Sequence, residues 1–177
     1  MCIRDRTITP DLVMNFACAF GTYLNSKRVL LARDTRISGP MLHSACLSAL
    51  ISTGCDVLDL GVCPTPILQH TVKKLRAKGA ISISAGHNDI EWNALTFINQ
   101  EGTYLNAFQG EEVLDIYHLG KFKKVSSEKL GRIKSVDNYL DVYFKSLKRF
   151  LDAQAIRKSG LKVVIDPCNG AGAKIID

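Results

Sequence analysis

Ile81-Ser82-Ile83-Ser84-Ala85-Gly86-His87-Asn88-Asp89-Ile90-Glu91-Trp92-Asn93-Ala94-Leu95-Thr96-Phe97-Ile98 is the stretch from which the rest of the chain can be read. Ile81, Ile83 and Ala85 alternate with hydroxyl residues, the pattern of a buried strand. The pattern breaks at Gly86-His87-Asn88-Asp89 and recovers at Ala94-Leu95-Thr96-Phe97-Ile98. Strand, polar loop, strand is how α/β proteins display chemistry at a sheet edge. Gly, Asn and Asp are also ordinary turn residues, so a plain turn is the competing reading.

Working outward, the same rhythm repeats upstream. Thr9-Pro10-Asp11 opens a helix: a hydroxyl cap, proline in the first turn, an acid near the positive helix end. Leu12, Val13, Phe16, Ala17, Phe20 and Leu24 form its apolar face, and Asn25-Ser26 ends it. Residues 28–33 read as a buried strand. Arg33-Asp34-Thr35-Arg36-Ile37-Ser38-Gly39 then leads into a helix running to about Thr53, stopped by Gly54. Two guanidinium forks between a strand end and a helix start suit a phosphate. Alternatively, Asp34 pairs with an arginine and holds the turn. Residues 55–60 are the next strand. Thr65 and Pro66 begin a helix to about Lys78, ended by Gly79. Three strand–helix alternations predict a three-layer α/β/α domain around a mostly parallel sheet.

Downstream, residues 99–102 read as a turn, 109–119 as a helix, and 121–134 as a basic linker. Residues 136–155 read as one long helix and 161–165 as a buried strand. Asp166-Pro167-Cys168-Asn169-Gly170-Ala171-Gly172 turns into a further helix start. The expected organisation is a domain over 7–135 followed by the opening of an incomplete second α/β domain over 136–177. Residues 1–6 carry no pattern.

The 177 residues are 46% hydrophobic with no run long enough for a membrane span. Six cysteines at 2, 18, 46, 55, 63 and 168 form no C-x-x-C, which reads as scattered reduced thiols in a cytoplasmic protein. The four histidines (His43, His70, His87, His118) show no metal-ligand spacing. The net charge of +6 is concentrated in residues 121–162, with twelve Lys or Arg against four acids. That stretch lacks the interleaved aromatics of a binding stripe and any recognisable nucleic-acid motif. A solvated helix face or a surface for small anions is therefore expected, with neither nucleic acid nor membrane as partner.

Four blocks together resemble the α-D-phosphohexomutases: phosphoglucomutase, phosphomannomutase and phosphoglucosamine mutase. Residues 33–39 are similar to the family's R-D-T-R-x-S-G, and Gly61-Val62-Cys63-Pro64-Thr65-Pro66 to its G-x-x-P-T-P. Ser84-Ala85-Gly86-His87-Asn88-Asp89 stands where the family has T-A-S-H-N-P, and Asn93-Ala94-Leu95-Thr96-Phe97 follows as N-G-x-K-x would. Residues 166–172 are similar to D-x-x-N-G-A-G, which opens the second domain. The E-W-N-A-L wording lies nearest to phosphoglucosamine-type members.

The resemblance implies one of four domains around a cleft, hexose phosphate and hexose bisphosphate as ligands, and a phosphoserine that passes its phosphoryl group to sugar and regains it. It also implies Mg²⁺ for the full-length protein, with its main ligands in an acidic loop outside this chain. Gly86, His87 and Asn88 take the catalytic positions, and Arg33 and Arg36 the phosphate-binding ones. The departures are chemical. Gly86 replaces the phosphoserine and has no oxygen to phosphorylate. Asp89 replaces a proline, and Thr96 replaces a lysine. Ser84 is the nearest hydroxyl, but two residues along a strand is roughly 6 to 7 Å. His87 is a second acceptor, because imidazole is a competent nucleophile. A bound bisphosphate or water is a third. Two functions stay open: the N-terminal part of a phosphohexomutase-like enzyme, inactive as these residues alone, or a sugar-phosphate-binding member without turnover.

Overall fold

The computed structural model describes residues 1–176. Its core is a six-stranded sheet: β1 (Cys2–Asp5), β2 (Val29–Arg33), β3 (Val57–Val62), β4 (Gly79–Ile83), β5 (Asn93–Asn99) and β6 (Ile133–Ser135), in spatial order β1-β5-β4-β2-β3-β6. β4, β2, β3 and β6 pair in parallel, and β5 runs antiparallel to both β4 and β1. Only β5 therefore opposes the other strands, and the mostly parallel α/β/α reading holds.

Side-chain alternation in β2 feeds two cores. Val29 and Leu31 face one layer with α1 (Pro10–Leu24), α2 (Gly39–Ser52) and α4 (Ala107–Leu119). Leu30 and Ala32 face the other, with α3 (Thr65–Lys74) and α5 (Tyr139–Leu147). All four are fully buried, as the central strand of a sheet covered on both faces requires. The helix signals act as read. Thr9 Oγ1 accepts the Leu12 N–H at 3.3 Å, Pro10 opens α1, and Asn25 closes it at φ 53°.

Five segments depart from the sequence expectation. Residues 2–5 form an edge strand, because β5 offers a free backbone edge that local pattern cannot reveal. α3 ends at Lys74, and Arg76 at φ 52° reverses the chain. Gly79 is thus not a helix stop but the first residue of β4. A Cβ there would lie 2.8 Å from both Ile98 O and Phe20 Cζ. The 121–134 stretch is no free linker. Val125 N–H donates to Ser52 O, Gly131 N–H to Ile51 O, and β6 joins the sheet beside β3. Gly131 is needed because a Cβ added there would collide with the Cys55 carbonyl. Finally, the expected long helix is two, α5 and α6 (Ala153–Lys158). Residues 161–165 are not a strand: Leu161, Val163, Val164 and Ile165 stand exposed, with no sheet edge alongside among the described residues. Apolar content proposes a strand, but only a paired neighbour satisfies its backbone.

No helix among the described residues is long and apolar enough to cross a membrane.

Candidate active site

Parallel strands β2, β3 and β4 deliver their C-terminal ends to one edge of the sheet, where α/β proteins bind ligands. Backbone bonds tie the three exits together. Asp34 N–H donates to Ile83 O at 2.9 Å, and Cys63 N–H donates to Arg33 O at 3.0 Å. Ser38 Oγ adds a 2.6 Å bond to Asn93 Oδ1, holding the start of α2 against β5.

Arg36 is the centre of this edge. Its Nε donates to Asp34 Oδ2 at 3.1 Å. One terminal nitrogen donates to Asp89 O at 2.6 Å, and the other to Gly86 O at 3.1 Å and Asn88 O at 2.7 Å. Four of its five N–H groups are thereby engaged. The planar fork that suits a phosphate instead grips three carbonyls of the 86–89 loop, and Asp34 orients the fork by accepting from both the Arg36 side chain and its backbone N–H.

The loop itself is a compact turn. Asn88 Nδ2 donates to Ala85 O at 2.5 Å, so its amide pins the turn. Gly86 sits at φ 61°, with no atom within 4 Å of where a Cβ would stand. His87 is exposed, and its imidazole has no hydrogen-bond partner among the described residues. Arg36, Gly86, His87 and Asn88 are thus brought together. Arg33 is turned elsewhere: its guanidinium donates to Asp34 O at 2.9 Å, its stem lies against Gly39, and its charge acts on Asp59.

A cavity of about 600 Å³ opens above the loop, lined by Asp34, Thr35, Arg36, Ser84, Gly86 and His87 on one side and by Asp166, Pro167, Cys168, Gly170 and Ala171 on the other. Asp166, Pro167, Cys168, Gly170 and Ala171 had no site role in the sequence reading. Their signal was the quoted D-P-C-N-G-A-G block, whose consecutive φ values of 48° at Cys168 and 55° at Asn169 mark a sharp turn toward the cavity. Thr35 and Pro64 were also missed, although both lie inside quoted motifs.

Behind the edge, His43 Nε2 and Asp59 Oδ1 are 2.9 Å apart, and the same oxygen accepts the Gly61 N–H at 2.8 Å. Burial pushes the Asp59 carboxyl up, but those two hydrogen bonds and the charges of His43 and Arg33 outweigh it. The net effect holds Asp59 below the ordinary carboxylate range. This half-buried pair fixes the turn at Gly61, from which Pro64 reaches the cavity.

Mg²⁺ asks for hard oxygen donors in near-octahedral array. The carboxylates at the cavity are Asp34, committed to Arg36, and Asp166, whose Oδ1 accepts the Cys168 N–H at 2.8 Å. No cluster of three potential ligands occurs among the described residues. These residues do not by themselves fit the ion.

Residues 2–124 match the profile of phosphoglucomutase/phosphomannomutase, alpha/beta/alpha domain I. The chain belongs to this family. The phosphohexomutase assignment extends past the profile. The chain is 34% identical over 176 residues to the phosphoglucomutase/phosphomannomutase of Thermococcus kodakarensis, covering 97% of this chain and 38% of that protein. It is 31% identical over 173 residues to the phosphoglucosamine/phosphogalactosamine mutase of Sulfurisphaera tokodaii, again covering 97% and 38%. The chain therefore spans 38% of the length of these relatives. The open form of pp63/parafusin, a phosphoglucomutase from Paramecium, superposes with a TM-score of 0.75 at 14% identity, over 98% of this chain and 38% of that one. At that identity the likeness speaks for the phosphohexomutase fold alone.

Proposed function

We propose that this chain is the first domain, with the opening of the second, of an enzyme that moves a phosphoryl group between two positions of a hexose phosphate, glucosamine phosphate being the leading candidate. The observation that carries this reading is the Arg36 clamp. Residues fifty or more apart in sequence are bonded so that the 34–38 and 86–89 loops line one cavity. A cavity of about 600 Å³ is within the range of small-ligand sites.

The chemistry must then do without a serine at position 86. His87 offers the free imidazole at the cavity, able to hold or move a proton on a sugar hydroxyl or to accept phosphoryl itself. Ser84 also lines the cavity, with its Oγ accepting the Gly86 N–H at 3.3 Å. The route that needs no phosphoenzyme uses a bound hexose bisphosphate. A hydroxyl oxygen of the hexose monophosphate attacks the donor phosphorus, the donor P–O bond breaks, and the former donor leaves as monophosphate.

A second reading, sugar-phosphate binding without turnover, has its own support. Gly86 offers no nucleophile, and Thr96, at the family's lysine position, bonds to Cys2 Sγ at 3.4 Å. Incubating the full-length protein with ³²P-labelled glucose 1,6-bisphosphate and Mg²⁺ separates the two. Isomerisation of glucosamine, glucose or mannose phosphate is the expected result, with any protein-bound label at His87 or Ser84. Tight binding with neither isomerisation nor label establishes the binding-only reading.

A further inference from the structure

The connector after α4 is strapped to the helix layer at three successive residues. Lys123 N–H donates to Thr22 Oγ1 at 2.9 Å, and Lys123 Nζ donates to Asn25 Oδ1 at 2.8 Å. Val125 N–H donates to Ser52 O at 3.1 Å. Between them Lys124 reaches toward α1 and α2. Its Nζ lies 3.0 Å from Cys18 Sγ and 2.9 Å from Ser52 Oγ. Cys18 is 3% exposed, whereas Lys124 lies at the surface. A thiol thus has a primary amine in contact on its solvent side. We infer that Cys18 and Lys124 are an oxidative cross-linking site that closes a sulfenamide (S–N) bond when the protein meets hydrogen peroxide.

The step balances. Cys18 sulfur attacks one peroxide oxygen and the O–O bond breaks. Sulfur becomes a sulfenic acid, and the other oxygen leaves as water with the thiol proton. The lone pair of the neutral Lys124 amine then attacks that sulfur and the S–O bond breaks. The departing hydroxide takes the proton that nitrogen gives up, forming a second water. Thiol, amine and one peroxide become S–NH and two waters; sulfur is oxidised and peroxide reduced. An amine already in contact outcompetes a second peroxide from solution, because the reaction is intramolecular.

The other thiols lack this arrangement. Burial pushes the Cys46 and Cys55 thiols up, and Cys63 up to about 12, which keeps them in the unreactive thiol form. Cys2 and Cys168 are exposed, and neither bonds to a lysine among the described residues. The bond would tie α1 to the connector that feeds β6, fixing the edge of the sheet beside β3.

The test is a peroxide titration followed by proteolysis and mass spectrometry. The expected product joins the Cys18 and Lys124 peptides, about 2 Da lighter than their sum, and is released by dithiothreitol. It should be absent in Cys18→Ser, in Lys124→Met, and in Lys124→Arg, which keeps an N–H donor but loses the amine. Circular dichroism establishes that each variant is folded, and Lys124→Arg decides the matter should Lys124→Met unfold. Three results overturn the inference: Cys18 ending as sulfinic acid, Cys18 joined to Cys46 as a disulfide, or Cys18 untouched once Cys2 and Cys168 have oxidised.

Discussion

Arg36 and Gly86 carry the consequences at the residue scale. Four charged N–H bonds converge from one guanidinium, three of them on loop carbonyls. A lysine brings a single ammonium that cannot span Gly86, Asn88 and Asp89 together. Arg36→Lys should therefore leave the fold intact while loosening the loop. Hydrogen exchange at residues 86–90 should quicken about tenfold or more, corresponding to about 1–2 kcal/mol of lost local stability. Gly86 invites the opposite experiment. Its φ of 61° is left-handed, but an added side chain meets nothing within 4 Å. Gly86→Ser should cost about 1–2 kcal/mol through backbone conformation alone. It should also restore a hydroxyl at the family's phosphoserine position. Incubating the full-length variant with labelled hexose bisphosphate should then place label on residue 86, located by peptide mapping. Wild type cannot be labelled there, because it has no oxygen to accept phosphate.

Two contacts between elements hold the sheet to its helix layers. β4 begins at Gly79, where a Cβ would press on Ile98 of β5 and Phe20 of α1 at 2.8 Å each. Gly79→Ala should lower stability by about 1–3 kcal/mol in urea titration, because sheet and helix layer would both have to part. α2 and β3 meet at His43 and Asp59. The Asp59 carboxyl is held below its ordinary range, so the folded state binds a proton less readily than the unfolded chain. Its stabilisation is complete above the unfolded value of about 3.9 and is lost as pH falls through the folded-state pKa. Asp59→Asn should be less stable than wild type at pH 6, and that difference should shrink below about pH 4 in urea titrations across pH.

Across the whole molecule, apolar residues divide into those the sheet covers and those it does not. Leu31 is fully buried while Val164 is 97% exposed. Leu31→Ala should cost about 2–5 kcal/mol, and Val164→Ser should change stability by less than about 0.5 kcal/mol, both read from urea midpoints. That contrast also marks the limit of what is legible locally. Residues 29–32 and 161–165 look alike as apolar runs, but only the first finds neighbours on both sides. Most of α1, α2 and the β2–β4 core could be read from the chain, because caps and side-chain periods depend on residues a few positions apart. So could the family, since its motifs are contiguous. Three features could not be read: the pairing of residues 2–5 with β5, the parallel docking of β6, and the commitment of Arg36 to loop carbonyls. Each is a bond between residues about 50 to 95 positions apart, whose geometry depends on register and layer packing. The sequence by itself determined α1 to α4 and β2 to β5, their order, and the chemistry of the loop between β4 and β5. Only the tertiary structure decided that the arginine positions that loop and that the His87 imidazole has no hydrogen-bond partner among the described residues, because hydrogen-bonding capacity is assigned only when distant groups compete for it in space.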